Sequence, residues 1–333
     1  MPELDRISQQ VLRELCTDAR IPTDHIARKI GHSRDMVRRR ITFLEREFGL
    51  RYVLELDEVA LGLNFPTLIR AKLRRIPDKK WLSDLLSNTT PVQFAALGKG
   101  DYDLLICFTA TDRIDYLRWT NMLRGQLKDY VSEWKAALPI LYRVGFFALR
   151  EPVLKTLNLP EPQKSLLLAL QSNARASFSE LSERLKISES TVRYQVNKLL
   201  KSGFVKRATA LVQNPPSEVQ MAIFGDYTFP ENFEERNQRA RKLVFRDDES
   251  MPVNRINVMA ELSGAADSFL FGSFPNIHAA HEYLRMREEV FGGPEAVPMQ
   301  NCVFSEKLAG LWPLRNMDLA KAYDRTSWAA PTS

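Results

Sequence analysis

The chain has 333 residues, of which 44% are hydrophobic and 26% are charged, and this composition is typical of a folded globular protein and excludes a disordered one. The formal net charge of +6 favours a partner rich in phosphate, although a basic enzyme has the same balance. Cys16, Cys107 and Cys302 lie far apart and outside any CxxC pair. We therefore expect reduced thiols, with neither a disulfide framework nor a zinc site.

The chain also lacks the features of a membrane or secreted protein. No apolar run reaches the roughly 18 to 20 residues that a membrane span requires. The first residues form a charged amphipathic segment where a signal peptide would be apolar. The sequence therefore predicts a cytoplasmic protein without membrane contact.

Residues 1–57 predict a winged helix-turn-helix domain. Three amphipathic segments are followed by the alternating segment 50–56, which predicts a strand serving as a wing. The turn Gly31-His32 separates the second segment from the third, and Ser33 is placed to cap the third helix. This order of elements is that of a helix-turn-helix domain.

The third helix carries an arginine-rich face. Val37, Ile41 and Leu44 are spaced i, i+4 and i+7, so they form one buried stripe and leave the arginines on the other side. Arginine presents a planar fork that fits a guanine edge or a phosphate. We expect the following residues to contact DNA: Ser33, Arg34, Arg38, Arg39, Arg40 and Thr42. The alternative is a face that is solvated or paired within the protein.

Residues 58–150 predict a ferredoxin-like α+β domain with the order βαββαβ. Its second helix is expected to turn Ile114, Leu117 and Leu123 inward. A turn of Gly98, Lys99, Gly100 and Asp101 separates two strands. Lys99 and Asp101 could hold the two ends of an amino-acid effector, but any hairpin also favours such a turn.

A second copy of both domains follows a predicted linker, residues 151–162. Residues 163–214 repeat the helix-turn-helix pattern, and Ala174-Arg175 matches Ala19-Arg20 at a step of 155 residues. Apolar periodicity alone does not place identical residue pairs in one register, so the match indicates duplication. The second set of expected DNA contacts comprises Ser188, Ser190, Arg193, Gln195, Asn197 and Lys198. Glu189 near the start of this helix repels phosphate, so we expect weaker binding here.

Residues 215–305 predict the second ferredoxin-like domain, and residues 306–333 a C-terminal tail. Within this domain we expect a helix near residues 233–244 and a charged loop at 246–250. Within the tail we expect a short helix near residues 317–323.

Two groups of residues resemble the Lrp/AsnC family, the leucine-responsive or feast/famine transcription regulators. The first group resembles that family's helix-turn-helix: Asp18-Ala19-Arg20, Ile26-Ala27, Ser33, Val37, Arg40-Ile41 and Leu44-Glu45. The turn Gly98-x-x-Asp101-Tyr102-Asp103 resembles that of its effector domain. In the second copy the Asp-Tyr-Asp run is reduced to Asp267-Ser268-Phe269, which leaves an effector site there in doubt.

The resemblance implies a sequence-specific transcription regulator that binds double-stranded DNA. It also implies a small-molecule effector such as an amino acid, and a dimer that this chain builds internally from its two copies, with a further homodimer as an option. Paired helices on such a scaffold read half-sites about 34 to 36 Å apart, so we expect a pseudo-palindromic target.

Two alternatives use the same plan. A fused sirohaem decarboxylase on this scaffold is expected to use histidine and arginine in the cleft of the α+β domains, but none of the chain's four histidines lies on a predicted strand there. An architectural, nucleoid-type DNA binder would show little sequence preference. His278 and His281 have a spacing that suits a metal, yet surface histidines on a helix are commoner. We predict no catalytic residues, no cofactor, no metal and no enzyme activity.

Overall fold

A computed structural model describes residues 4–215, 219–226, 256–291 and 299–314. The first helix-turn-helix domain consists of α1 (Arg6–Thr17), α2 (Thr23–Ile30), α3 (Arg34–Glu47) and β1 (Leu50–Leu56). The first α+β domain consists of β2 (Phe65–Leu73), α4 (Lys79–Asn88), β3 (Val92–Gly100), β4 (Leu104–Ala110), α5 (Arg113–Leu127) and β5 (Val131–Val144). The predicted α+β class and the βαββαβ order are confirmed for this half.

The described elements of the second half follow the same order, with one additional helix at the start. Its helical part consists of α6 (Glu151–Thr156), α7 (Glu161–Ser172), α8 (Phe178–Leu185), α9 (Glu189–Lys201) and β6 (Val205–Val212). Its α+β part consists of β7 (Val219–Gly225), β8 (Ile256–Gly264), β9 (Ser268–Phe274), α10 (Ile277–Phe291) and β10 (Gln300–Ala309). The helix expected near 233–244, the loop 246–250 and the helix near 317–323 lie outside the described residues.

Three expectations about boundaries were wrong. The linker 151–162 contains α6, because Val153 and Leu154 are buried in the core. The tail begins later than residue 306, because β10 continues to Ala309 and Trp312 is buried. The segment from Gly98 to Gly100 belongs to β3, so the turn starts at Asp101.

The inward face of α5 also differs from the prediction. Ile114 and Leu117 are 71% and 55% exposed, whereas Thr120, Leu123 and Leu127 are buried. The buried residues follow spacings of three and four, which place them on one side of the helix. Ile114 lies in the first turn of α5 and outside this stripe. Its apolar character alone therefore did not predict whether it is buried.

The two α+β domains form one closed sheet of eight strands in the order β10-β3-β4-β2-β5-β8-β9-β7. Each domain contributes four neighbouring strands, and two antiparallel seams, β3 with β10 and β5 with β8, join the halves. The space inside is filled by aromatic rings, with Phe94 stacked on Phe147 at 5.0 Å between ring centroids and edge-on to Phe271 at 5.8 Å. The chain therefore builds internally the paired core predicted from its duplication.

The strands predicted as wings pair with each other. β1 and β6 form an antiparallel two-stranded ribbon in which Leu50 lies opposite Val212 and Val53 opposite Thr209. Each strand follows the third helix of its own helix-turn-helix unit. The ribbon therefore connects the two helix-turn-helix units directly, which the sequence did not indicate.

The repeated Ala-Arg pairs hold the same junction. The Arg20 guanidinium donates through Nη1 to the carbonyl oxygen of Ala174 at 2.8 Å, and Arg175 donates to the carbonyl oxygen of Ala19 at 3.0 Å. The two backbones are tied as well, since the Ala19 N–H donates to Ala208 at 3.0 Å and the Ala174 N–H to Tyr52 at 2.9 Å. The pairs at a step of 155 residues thus form one reciprocal contact between the halves.

Gly98 provides the first test of the closed sheet. A Cβ atom at this position would overlap the carbonyl oxygen of Val303 and lie 2.7 Å from Sγ of Cys302 on β10. We expect Gly98→Ala to lower the free energy of unfolding by about 2 kcal/mol or more, measured by urea denaturation, because the seam must open to admit a methyl group. Gly125→Ala is the matched control, since nothing lies within 4 Å of its Cβ position in α5. It should raise stability by about 0.5 to 1 kcal/mol. Equal stability of the two variants would contradict the tight seam.

Arg175 provides the second test. Hydrogen bonds from charged groups contribute about 1.5 to 3 kcal/mol each, and this one is partly buried. Arg175→Ala should therefore lower the free energy of unfolding by about 2 kcal/mol in urea. Arg6→Ala, which removes an exposed arginine from α1, should change it by less than about 0.5 kcal/mol. A loss for Arg175→Ala no larger than that of the control would show that the contact is incidental.

Candidate nucleic-acid interface

The two helices α3 and α9 are built alike. Ser33 caps α3 by accepting the N–H of Met36 at 3.2 Å, and Ser188 caps α9 by accepting that of Thr191 at 3.1 Å. A capping side chain satisfies a backbone N–H that has no partner inside the helix. The start of each helix is therefore defined by its serine, as the sequence predicted.

Each helix buries one stripe and exposes the opposite side. Val37 and Leu44 anchor α3 with no exposed surface, and Val192 and Leu199 anchor α9 in the same way. The predicted residues that α3 exposes are Ser33, Arg34, Arg38, Arg39 and Thr42. The structure therefore brings these five side chains together on one accessible face.

Arg40 departs from this set. Its side chain is only 30% exposed, and Nη2 lies 2.7 Å from Oδ2 of Asp5, the residue that caps α1. Burial opposes ionisation of Asp5, but hydrogen bonds from Ser8 and the charge of Arg40 outweigh it and lower the pKa of this carboxyl. Arg40 thus ties α3 to the start of α1, and the structure places it beside the exposed face.

The exposed arginines of α3 differ in their pairing. Nε of Arg34 lies 2.9 Å from Asp24 on α2, and Nη1 of Arg38 lies 3.9 Å from Asp35. Both arginines are more than half exposed, and exposed ion pairs contribute little, so a phosphate can replace either carboxylate. Arg39 has no ion-pair partner within the described part of the chain.

The second helix is less open. Its exposed predicted residues are Ser188, Ser190, Arg193, Asn197 and Lys198. The Arg193 guanidinium lies 4.4 Å from the ring centroid of Phe178 and 3.9 Å from Glu189. Gln195 is half-buried, and its Oε1 atom is buried with no hydrogen-bond partner among the described residues.

One exposed residue was missed. Tyr194 is 65% exposed on α9, between Arg193 and Gln195, with its ring on the surface. The signal was available, because Val192 and Val196 already accounted for the buried stripe and left position 194 outside it. A ring with a hydroxyl there adds a donor and an apolar surface to this face.

The four residues proposed for an effector lie at a seam of the closed sheet. The N–H of Asp101 donates to the carbonyl of Asn301 at 2.8 Å, and the N–H of Asn301 donates to Oδ2 of Asp101 at 2.7 Å. Gly98 and Gly100 are packed against β10 with no space for a side chain. Lys99 and Asp101 both have exposed side chains. Close packing against β10 therefore explains why glycine occupies positions 98 and 100. Effector binding at this turn stays a prediction.

Within the described ranges, metal binding, disulfide bonding and membrane insertion have little support. Among them no group of three or more His, Cys, Asp or Glu side chains could hold a metal ion, and His278 pairs with Glu282 at 3.4 Å. The three cysteines are buried free thiols, and burial raises the pKa of Cys16 to about 12. No described helix is both long and apolar enough to span a bilayer.

The helical domains match two known families. Residues 4–45 match the AsnC-type helix-turn-helix domain, and residues 161–206 match a winged helix-turn-helix DNA-binding domain. These two segments coincide with α1 to α3 and with α7 to the start of β6. Both predicted helix-turn-helix units are therefore confirmed.

Similar proteins include helix-turn-helix regulators. The chain is 30% identical over 117 residues to the proline dehydrogenase transcriptional activator of Rhodobacter capsulatus, covering 34% of this chain and 75% of that protein. It is 41% identical over 64 residues to an uncharacterized HTH-type transcriptional regulator of Pyrococcus horikoshii, covering 19% of this chain but only 40% of that protein.

A solved structure shares the whole architecture. The siroheme decarboxylase NirDL superposes with a TM-score of 0.59, covering 96% of this chain and 99% of that chain, at 11% sequence identity. Identity this low shows the fold alone, and here it shows that the tandem arrangement is a known one.

The exposed capped helices, the two matched domains and the similarity to the Rhodobacter activator agree with one another. The chain belongs to the Lrp/AsnC family of transcription regulators, in a form that carries the family's domains twice.

Proposed function

We propose that the protein is a sequence-specific DNA-binding transcription regulator whose two helix-turn-helix units read the two halves of an imperfect palindrome. The observation that carries this proposal is the hydrogen-bonded ribbon of β1 and β6, which joins the units that carry the two exposed basic helices, α3 and α9. Two half-sites on one face of DNA lie about 34 to 36 Å apart, which only a fixed pair of helices can match. The palindrome is imperfect because the two helices carry different side chains.

The first helix is the stronger reader in this proposal. Arg39 is exposed with no ion pair in the described ranges, and Arg38 has only a 3.9 Å contact to Asp35. Arg193 on α9 must leave both the ring of Phe178 and the carboxylate of Glu189 before it reaches a base or phosphate. The free energy of DNA binding is therefore expected to depend more on α3 than on α9.

Alanine substitutions on the two helices test this asymmetry. Arg38→Ala with Arg39→Ala should weaken binding to a selected site by about 100-fold and reduce the slope of log K against log salt by about 2, since two phosphate or base contacts are lost. Arg193→Ala with Lys198→Ala removes the same charge from α9 and should weaken binding by less. Fluorescence anisotropy at several salt concentrations measures both quantities.

The control removes the same charge elsewhere. Arg113 and Lys128 are exposed at the two ends of α5 on the α+β part, so Arg113→Ala with Lys128→Ala should leave affinity within about twofold. Unchanged affinity and salt dependence in the α3 variant would refute DNA reading by this helix. A larger loss in the α9 variant would refute the order of the two helices.

We also propose that the protein has no enzyme activity. The alternative is a sirohaem decarboxylase, because NirDL has the same fold. His25 and His32 lie on the helix-turn-helix unit, and His278 and His281 are exposed on α10. Among the described residues, Phe94 packs against Phe147 and Phe271, and such packed rings favour a closed core over a tetrapyrrole cleft. Titration with sirohaem separates the two: the proposal expects no saturable change in the absorption spectrum, and tight binding with loss of carboxyl groups would favour the enzyme.

Control by a small molecule completes the proposal. The α+β domains carry the helix-turn-helix pair, so a ligand that changes the packing between them changes the spacing of α3 and α9. A ligand has this effect only where its affinity differs between two arrangements of the domains. The place where such a ligand can act is therefore the junction between the ribbon and the closed sheet.

A further inference from the structure

A cavity lies at this junction. It has a volume of about 560 Å³ and is bounded by the end of β1, the segment 57–60, the start of β2, the end of β5 and Lys206 on β6. Ligand pockets for small molecules commonly measure about 300 to 1,000 Å³. The cavity therefore touches both the ribbon that holds the DNA-reading helices and the sheet that carries them.

The cavity walls are largely apolar. Val59 and Ile140 are 68% and 70% exposed at its rim, and Leu56, Pro139 and Phe146 also line it. They suit a compact apolar group in the cavity.

One carboxyl group in the cavity, that of Glu58, forms no ion pair with the described residues. Glu55 is held by Arg207 at 2.6 Å and Asp57 by Lys206 at 3.6 Å. Arg143, which also lines the cavity, is bound by Glu261 of β8 at 3.3 Å. Glu58 is different, because its Oε2 atom is buried and has no hydrogen-bond partner among the described residues. A buried carboxylate in that state is costly unless a donor or a cation joins it.

The related junction of the second half contains such a cation. Lys307 on β10 donates through Nζ to the Oε1 atom of Gln213 at 2.8 Å and to the Gln213 carbonyl at 3.0 Å, directly after β6. In the first half, Asp57 and Glu58 directly follow β1, and the nearby end of β5 presents Ile140 and Leu141. The second half thus has an ammonium group bound to the residue that follows β6, whereas Asp57 and Glu58 follow β1 in the first half.

We infer that this cavity binds a small primary amine with a compact apolar body, whose ammonium group contacts Glu58 and whose body lies between Val59 and Ile140. Because the cavity bridges the ribbon and the closed sheet, occupancy strengthens their contact. The regulatory part of this inference, a change in DNA affinity on binding, rests on the proposed function, whereas the binding itself does not.

The charges around Glu58 set the pH dependence. Burial raises the pKa of Glu58 to about 7, the Thr109 hydroxyl and Lys206 oppose this rise, and Asp57 adds to it. Tyr142 and Cys107 also face Glu58, and burial raises the pKa of each so far that both stay neutral. An ammonium favours the ionised carboxylate, so amine binding is expected to weaken as the pH falls below 7.

Calorimetric titration of the full chain with 3-methylbutylamine at pH 7.5 tests the inference without DNA. We expect saturable binding, at least tenfold weaker binding of the isosteric 3-methylbutan-1-ol, and at least tenfold weaker amine binding by Glu58→Gln. Glu288→Gln, which changes an exposed glutamate on α10, is the matched control and should bind like the parent. At pH 5.5 the parent should bind the amine more weakly. Failure of the amine to bind, or equal binding by the amine and the alcohol, overturns the inference.

A second variant keeps the test independent of the stability of Glu58→Gln. Ile140→Lys places an ammonium group at the rim of the cavity and should abolish amine binding while Glu58 remains in place. Amine binding that survives both Glu58→Gln and Ile140→Lys shows that the ligand lies elsewhere. DNA affinity measured with and without the amine then addresses regulation: a change that disappears in Ile140→Lys supports it, and an unchanged affinity limits the inference to binding alone and contradicts the regulatory part.

Discussion

The pairing of β1 with β6 is the constraint on which the rest of the molecule depends. Each helix-turn-helix unit has a single strand, and that strand satisfies its backbone groups on its counterpart from the other half. The reciprocal bonds from Arg20 to Ala174 and from Arg175 to Ala19 close the same junction from both sides. Neither unit can therefore change its orientation alone, and the distance between α3 and α9 becomes a property of the fold. This distance is what a reader of two half-sites must control.

The sequence predicted what is encoded locally or by repetition. The serine caps of α3 and α9, the buried stripes of these helices and the step of 155 residues all follow from spacing along the chain. The pairing of β1 with β6 was not predicted, because the local sequence does not indicate which strand pairs with another about 155 residues away. The inward turn of Arg40 was missed for a related reason, since its partner Asp5 lies on another helix. The seam explains Gly98 better than a turn does, and only the neighbouring strand β10 makes that visible.

Duplication within one chain also frees each copy to change separately. In a dimer of identical chains every substitution appears twice, whereas here α3 can keep open arginines while α9 holds Arg193 against Phe178. The two junctions between ribbon and sheet also differ, with Lys307 bound to Gln213 in one half and a buried Glu58 oxygen without a hydrogen-bond partner among the described residues in the other. Duplication within one chain therefore allows both differences between the halves, in the DNA-reading helices and in the junctions.

The central claim is that one chain holds two DNA-reading helices at a fixed separation of one helical turn. Footprinting on the best site selected from genomic DNA, followed by insertion of 5 base pairs between its halves, tests this most directly. We expect two unequally protected half-sites about 10 base pairs apart, and loss of the protection of the weaker half after insertion, because the halves then face opposite sides of the duplex. Protection of a single half-site, or two half-sites that tolerate the insertion, would contradict the account.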